Sequence, residues 1–226
     1  MAVLGAAWLI ARKDLRIEGR SRELLYTTLF FAVACVLVFS FALVREGRPV
    51  DNAAPGILWV AIAFSGTLAL GRTFERERQS ETLRALLLAP VERTAVYLGK
   101  LIALFILLVL IEIVITPFVA LLFHAPIDRA PGLLAGLLTA GTLGFAAVGT
   151  LFAAMLVRAQ SRDVLLPVIL YPITVPVMIA GVQGTSAIFA AEPNLADAQS
   201  WLAMLVFFDA VFVTLALWTF TPVMSE

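Results

Sequence analysis

The feature that most constrains this chain is a series of six long apolar stretches, each with at most one charged residue. The stretches contain 21, 18, 23, 25, 19 and 20 residues: 24–44, 53–70, 101–123, 133–157, 164–182 and 201–220. A helix needs about 20 apolar residues to cross the hydrocarbon core of a membrane. The runs are continuous and do not alternate with polar residues, which favours helices over barrel strands. The sequence therefore predicts an all-α membrane protein with six transmembrane helices.

The composition agrees with a membrane protein. Of the 226 residues, 62% are hydrophobic and 14% are charged, and the mean hydropathy is +1.00. A soluble domain is about half apolar and about a quarter charged. The composition therefore excludes a soluble globular enzyme, a disordered chain and a nucleic-acid-binding domain. The single cysteine, Cys35, excludes an intrachain disulfide and a cysteine-cluster metal site.

The distribution of Lys and Arg predicts the orientation in the membrane. Thirteen of these residues fall in the N-terminal segment, in the second and fourth loops, and at Lys100. Only Arg45, Arg48 and Arg129 fall in the alternate loops. Because positive residues collect on the cytoplasmic side, both termini are predicted to be cytoplasmic.

The N-terminal segment, residues 1–23, is predicted to form an amphipathic helix in the cytoplasmic interface. On a helix, four residues share one face: Leu4, Trp8, Ala11 and Leu15. The basic residues Lys13, Arg16 and Arg20 project from another face. Trp8 would then lie at the level of the lipid headgroups. The alternative is an ordinary basic topology signal without an interfacial helix.

The second loop, residues 71–99, is the longest between spans and the most charged. A helix that begins near Thr73 would end at Pro90. Its leucine side would rest on the membrane or on other helices: Leu83, Leu86 and Leu87. Its other side would face the cytoplasm: Glu77, Glu81, Arg84 and Leu88. This pattern favours a docking element for a basic partner, and the alternative is a solvated amphipathic helix with no partner.

Two carboxylates interrupt the apolar stretches. Glu112 lies in the middle of the third stretch and Asp209 near the middle of the sixth. Acidic residues at such depths usually face protein or water. They could line a pathway or act as a switch between helices, and the alternative is a protonated or hydrogen-bonded packing residue.

Small residues and prolines predict further details of the spans. Gly136, Ala140 and Gly144 recur every four residues in the fourth span and would form an intramolecular packing face. The fifth span contains Pro167, Pro172 and Pro176 and is predicted to be kinked or broken. The following segment, 183–200, is predicted to be an external loop, and its alternating apolar and small residues, with Pro193, resemble short external helices before a last span.

Candidate haem, metal and catalytic residues are few. His124 is the only histidine, at the outer end of the third span, and a lone histidine can be an axial haem ligand. No haem-attachment motif accompanies it, which favours an interfacial residue. His-Glu-x-x-His and Gly-x-Ser-x-Gly motifs are absent from the sequence. We therefore assign no catalytic, metal or directly bound cofactor residue.

Three groups of residues resemble a known family. The first lies near the N-terminus: Lys13-Asp14-Leu15-Arg16, Glu18 and Arg20-Ser21-Arg22-Glu23. The second lies in the second span: Gly56-Ile57-Leu58-Trp59-Val60-Ala61, Phe64-Ser65-Gly66, Leu68-Ala69-Leu70 and Arg72-Thr73-Phe74. The third lies in the loop: Phe74-Glu75-Arg76-Glu77-Arg78, Leu83, Leu86-Leu87-Leu88-Ala89-Pro90 and Tyr97-Leu98-Gly99-Lys100. The loop resembles type-2 ABC membrane subunits, and the combination resembles the CcmB (haem exporter protein B) family of cytochrome c maturation.

The resemblance implies a single membrane domain over residues 1–226 with the type-2 ABC, type V exporter-like fold. It also implies partners: a CcmA-like ABC ATPase, a CcmC-like haem-handling subunit, a small CcmD-like subunit and a second copy of the chain. The sequence agrees that ATP binds elsewhere, because Gly99-Lys100 lacks the rest of a P-loop. The chain itself would not be an enzyme, and haem would be a transported or relayed ligand.

In such systems the loop between spans two and three carries a coupling helix that contacts the ATPase. The resemblance assigns that role to seven residues: Glu75, Glu77, Glu81, Leu83, Leu87, Leu88 and Pro90. It places the chain in the bacterial inner (plasma) membrane, surrounded by lipid, with no nucleic-acid partner. ATP would then serve either to export haem or to release a haem-loaded chaperone.

Two other functions remain open from the residues alone. One is a type-2 ABC permease for a lipid, polysaccharide or drug, which shares the loop but not the role in cytochrome c maturation. The other is a channel or secondary carrier that works without an ATPase. Carriers often show matching broken helices in their two halves, and only the fifth span carries several prolines.

Overall fold

The computed structural model describes residues 3–45, 48–49, 52–73, 92–157, 159 and 161–223. These residues form seven helices: α1 (Val3–Ser21), α2 (Glu23–Ala42), α3 (Ala53–Thr73), α4 (Arg93–Phe123), α5 (Pro131–Met155), α6 (Arg162–Phe189) and α7 (Leu195–Val223). Between α2 and α3, β1 (Val44–Arg45) and β2 (Arg48–Pro49) form a short antiparallel pair, with Val44 opposite Pro49.

Six of the helices, α2 to α7, are long and apolar enough to cross a membrane. This confirms the all-α fold with six spans. Four of these helices, α3, α4, α6 and α7, are longer than their apolar stretches. Helix α4 begins at Arg93, although its apolar stretch begins at residue 101. The helix continues through this region because Tyr97, Gly99 and Lys100 are buried against neighbouring helices.

Helix α5 lies at the centre of the bundle and packs against α3, α4, α6 and α7. Its glycines make this possible, because a helix surface without side chains lets another helix approach closely. Gly136 lies under Leu202 of α7, and Gly144 lies under Asp209 and Phe208 of the same helix. The predicted small-residue face of this span is therefore an intramolecular contact with α7.

A tryptophan of α3 packs against another side of α5. Trp59 is buried, and its indole ring lies directly over Gly141 of α5 and Gly181 of α6. Its Nε1–H donates a hydrogen bond of 3.0 Å to Thr185 Oγ1 on α6. A buried indole usually finds such a partner. This contact joins α3, α5 and α6 in the core.

The fifth span was predicted to be kinked or broken, and it is one continuous helix, so the prolines do not break it. The predicted kink stays a prediction. Pro167, Pro172 and Pro176 all lie within α6. Neighbouring helices in a bundle compensate for the hydrogen bonds that proline removes, and prolines are therefore tolerated in spanning helices.

The segment 183–200, predicted to be an external loop that resembles short helices, is helical for most of its length. Helix α6 continues to Phe189, and α7 begins at Leu195. Gly184 does not interrupt α6, because Leu137 and Trp201 pack against it. Asn194 starts α7, since its Oδ1 accepts a hydrogen bond of 3.1 Å from the backbone N–H of Asp197.

Helix α1 confirms the predicted N-terminal helix but divides its predicted apolar face. Leu4 and Trp8 are 72% and 52% exposed, as an interfacial face requires. Ala11 is instead fully buried, together with Ala7, on the side of α1 that packs against α4. Small residues suit this side because they allow the two helices to approach closely.

Candidate functional site

The candidate site lies at one end of the bundle, where α3 and α5 end and α4 and α6 begin. We call this the basic end, because the N-terminal helix and most of the Lys and Arg residues lie there in the sequence. The second loop departs from α3 after Thr73 and returns to α4 at Arg93.

Two buried cations cap the end of α3. Arg162 Nη2 donates a hydrogen bond of 3.0 Å to the carbonyl oxygen of Leu70, and Lys100 Nζ donates one of 3.3 Å to that of Thr73. Both cations are only 2% exposed. The last carbonyls of a helix have no partner within the helix and carry its negative dipole end, so cations stabilise them. We call Lys100, Arg162 and these two carbonyls the cation cap.

The cation cap also contacts α1. Asp14 Oδ2 lies 2.8 Å from Lys100 Nζ, and Asp14 Oδ1 lies 3.0 Å from Lys13 Nζ. The Asp14 side chain is 18% exposed, so it bridges a buried cation and a partly exposed one. A buried ammonium group requires such a partner, because an uncompensated charge in the interior is strongly destabilising.

A glycine brings α1 close enough for this ion pair. A Cβ atom on Gly99 would lie 2.7 Å from Ile10 Cβ and 2.9 Å from the carbonyl oxygen of Ala7. The backbones of α1 and α4 therefore meet at Gly99, one residue before Lys100. The Gly99-Lys100 pair combines a close helix contact with a buried charge.

Helix α2 is attached to the same end by polar contacts. Glu18 Oε1 accepts a hydrogen bond of 2.9 Å from the backbone N–H of Leu25, which lies in the first turn of α2. Arg22, between α1 and α2, has a left-handed backbone with φ of 55°. Glu23 and Arg72 form an exposed ion pair of 3.1 Å between α2 and α3. The first contact joins α1 to α2, and the ion pair joins the start of α2 to α3.

The residues assigned to ATPase coupling lie outside the described residues: Glu75, Glu77, Glu81, Leu83, Leu87, Leu88 and Pro90. Their assignment stays a prediction. The structure describes the two ends of their segment, at Thr73 and Glu92.

The two intramembrane acids lie on different sides of α5. Glu112 is buried, and its Oε1 accepts a hydrogen bond from the hydroxyl of Thr142. Asp209 is buried beside Gly144, and among the described residues its Oδ1 has no hydrogen-bond partner. Thr142 and Gly144 are two positions apart on α5, so the acids lie at similar depth against different faces of that helix. The structure does not bring them together.

His124 lies at the end of α4, away from both acids in the sequence. It is exposed and has a left-handed backbone, with φ of 53°. Its backbone N–H bonds to the carbonyl oxygen of Ala120, which completes the last turn of α4. Within the described ranges, no three His, Cys, Asp or Glu side chains lie together as metal ligands would.

The sequence reasoning missed the cation cap. Lys100 and Arg162 were counted as topology charges, although both are buried. The sequence contains one signal, because Lys100 lies directly before an apolar stretch, where burial is possible. A lysine is almost never fully buried without a partner. The sequence does not show which of its 16 acidic residues that partner is.

The chain resembles one family over nearly its full length. The family model described as CcmB protein matches residues 5–225. "Heme exporter protein B" of Paracoccus denitrificans is 31% identical over 206 residues, 91% of each chain. The protein of the same name from Escherichia coli K12 is 32% identical over 199 residues, 88% of each chain. That from Pseudomonas aeruginosa is 28% identical over 197 residues, 87% of each. The range matched by the family model, 5–225, contains the positions of the cation cap and of both intramembrane acids.

Proposed function

The chain belongs to the CcmB family, and from that premise we propose that it is the membrane subunit of an ATP-driven ABC complex for cytochrome c maturation. Its role is to couple ATP hydrolysis in a separate ATPase subunit either to haem export or to release of a haem-loaded chaperone. The observation that carries the proposal is the family match over residues 5–225. The relatives' name, heme exporter protein B, supports haem as the ligand that is moved or relayed.

The second loop carries the proposed contact with the ATPase. Its acidic side, with Glu77 and Glu81, fits a basic cleft on that subunit. The ends of this loop join the bundle at the cation cap, where Lys100 binds the carbonyl of Thr73. A force on the loop would therefore act directly on α3 and α4.

The remaining subunits follow from the family. We propose a CcmA-like ATPase, a CcmC-like haem-handling subunit, a small CcmD-like subunit and a second copy of this chain. The complex would lie in the inner membrane of a bacterium. Both termini and the basic end would face the cytoplasm, where the ATPase finds ATP, and the 13 to 3 distribution of Lys and Arg supports this orientation.

Co-purification from native membranes tests the proposal. The tagged chain should bring down an ABC ATPase and a haem-handling membrane subunit. The double variant Glu77→Lys and Glu81→Lys should lose the ATPase, because two positive charges would face the basic cleft. Glu192→Lys is the control, since it reverses an exposed charge in the connection between α6 and α7 at the opposite end of the bundle.

Two results would contradict the proposal. A wild-type chain that purifies without any ATPase would refute membership of an ABC complex. A double variant that purifies with the ATPase and with unchanged ATP hydrolysis would refute the docking assignment of the acidic side.

A further inference from the structure

Lys100 connects three helices at the point where the second loop joins the bundle. The lysine belongs to α4, about two turns after that helix begins at Arg93. Its ammonium group lies 3.3 Å from the carbonyl oxygen of Thr73, the last residue of α3 before the loop. The same group lies 2.8 Å from Asp14 of α1. One buried charge therefore contacts both sides of the loop and the N-terminal helix.

We propose that Lys100 is a positioning residue that makes α1 move together with the second loop when the partner ATPase changes its nucleotide state. The proposal rests on the proposed function, because it assumes that an ATPase acts on that loop. It adds a path for the motion: from the loop through the ammonium group of Lys100 to Asp14, and so to the N-terminal helix.

The geometry favours a connection that transmits movement of α4 to α1. Between Arg93 and Lys100, α4 rises by about 10 Å as a continuous helix, so a shift at its start reaches Lys100 as a rigid displacement. The other described contacts between α1 and α4 are apolar, and they include Ala7 with Ala95 and Ile10 against the bare backbone of Gly99. Such contacts set the separation of two helices. The ion pair adds a specific attachment between Asp14 and Lys100, which resists sliding of α1 along α4.

The burial of the pair predicts unequal effects of its two partners. Asp14→Asn would remove a negative charge 2.8 Å from a cation that is 2% exposed, and loss of one charge of a buried ion pair is strongly destabilising. Removal of Lys100 would leave Asp14 with Lys13 at 3.0 Å and with access to solvent. Lys100→Met should therefore fold and assemble, whereas Asp14→Asn should lower the yield of folded protein.

The double variant Asp14→Asn with Lys100→Met separates positioning from folding. It removes both charges of the pair and leaves no buried ammonium group at position 100, so the folded yield should return to that of the wild type. If Lys100 positions α1, the double variant should still be uncoupled, because the attachment is gone. Glu23→Gln is the matched control, since it breaks an exposed ion pair at the same end of the bundle.

The experiment measures coupling in the assembled complex. Spin labels at Gly19→Cys on α1 and Met155→Cys on α5, both exposed, report the position of α1 in a Cys35→Ala background. In the wild-type complex, and with Glu23→Gln, the label distance should change when a non-hydrolysed ATP analogue is added. With Lys100→Met and with the double variant the change should be lost. Cytochrome c yield per assembled complex should fall about tenfold, within the usual range of coupling between sites.

The outcomes separate the inference from the proposed function. If the double variant retains the nucleotide-dependent distance change and the wild-type cytochrome c yield, the pair is merely structural and the inference is overturned. The same holds if the wild-type distance does not respond to the analogue although the ATPase is bound. If no ATPase purifies with the wild type, the proposed function fails first, and the inference fails with it.

Discussion

At the scale of single residues, two buried aromatic side chains of this apolar bundle place their polar atoms against partners on other helices. The indole of Trp59 donates to Thr185, and the hydroxyl of Tyr97 donates a hydrogen bond of 3.0 Å to the carbonyl oxygen of Ala147. These pairs could not be predicted from the sequence, because Thr185 lies 126 positions from Trp59. The presence of a partner could be predicted, since an unpaired polar group in a membrane interior is costly.

The hydrogen bond between Trp59 and Thr185 should contribute measurably to stability. Thr185→Val keeps the shape of the side chain but removes the acceptor, so the indole N–H is left buried and unpaired. We expect a loss of about 0.5–1.5 kcal/mol, the range of hydrogen bonds between membrane helices. Thermal unfolding of the purified protein measures it. Thr139→Val is the control, because that hydroxyl is exposed and bonds only within α5, and its unfolding temperature should stay near that of the wild type. Equal effects of both changes would contradict this role.

His124 should be a helix-end residue and not a haem ligand. It is exposed, and its backbone closes the last turn of α4. His124→Ala should therefore leave the haem absorbance of the purified complex and the cytochrome c yield unchanged. Spectra of the two complexes at equal protein concentration test this. Loss of the haem band from an otherwise intact complex would make this chain a haem-binding subunit.

At the scale of helices, the sequence predicted which segments span the membrane better than where they end. Apolar stretches mark spans because a membrane requires long apolar helices. The third apolar stretch begins after Lys100, but α4 begins at Arg93, and Asp14 compensates the charge of Lys100 inside the fold. The prolines predict a kinked or broken fifth span, but α6 is continuous, because the support from neighbouring helices is not visible in a local pattern.

The contact between α1 and α4 should depend on the missing side chain at Gly99. In Gly99→Ala, the new methyl group would meet Ile10 at 2.7 Å and the backbone of Ala7 at 2.9 Å, so α1 must shift. Forcing a group into a packed contact costs about 1–3 kcal/mol. The unfolding temperature should fall, and protease should cut α1 more readily. Gly5→Ala on α1 is the control, because its new methyl group meets nothing within 4 Å, and it should be neutral or stabilising. A stable Gly99→Ala would show that α1 does not pack here.

At the scale of the whole molecule, the apolar stretches and the small residues of the sequence determine the architecture. Six apolar stretches give six helices that can cross a membrane, and an even number of crossings returns the chain to its starting side. The order in which the helices pack is not contained in the stretches. It depends on small residues such as Gly141 and Gly181, which leave room for Trp59, so that α3 reaches the centre of the bundle.

The orientation of the molecule gives the last prediction. If all six helices cross the membrane, Glu92 before α4 and Glu192 between α6 and α7 lie on opposite sides, because three helices separate them. Both glutamates are exposed, so Glu92→Cys and Glu192→Cys in a Cys35→Ala background form a matched pair. Since Lys and Arg concentrate at the basic end, an impermeant thiol reagent should label Glu192→Cys in intact cells. It should label Glu92→Cys only in inverted vesicles. Labelling of both variants in intact cells would mean that one of the six helices does not cross, and reversed labelling would place the basic end, with its docking loop, on the side that an ATPase cannot reach.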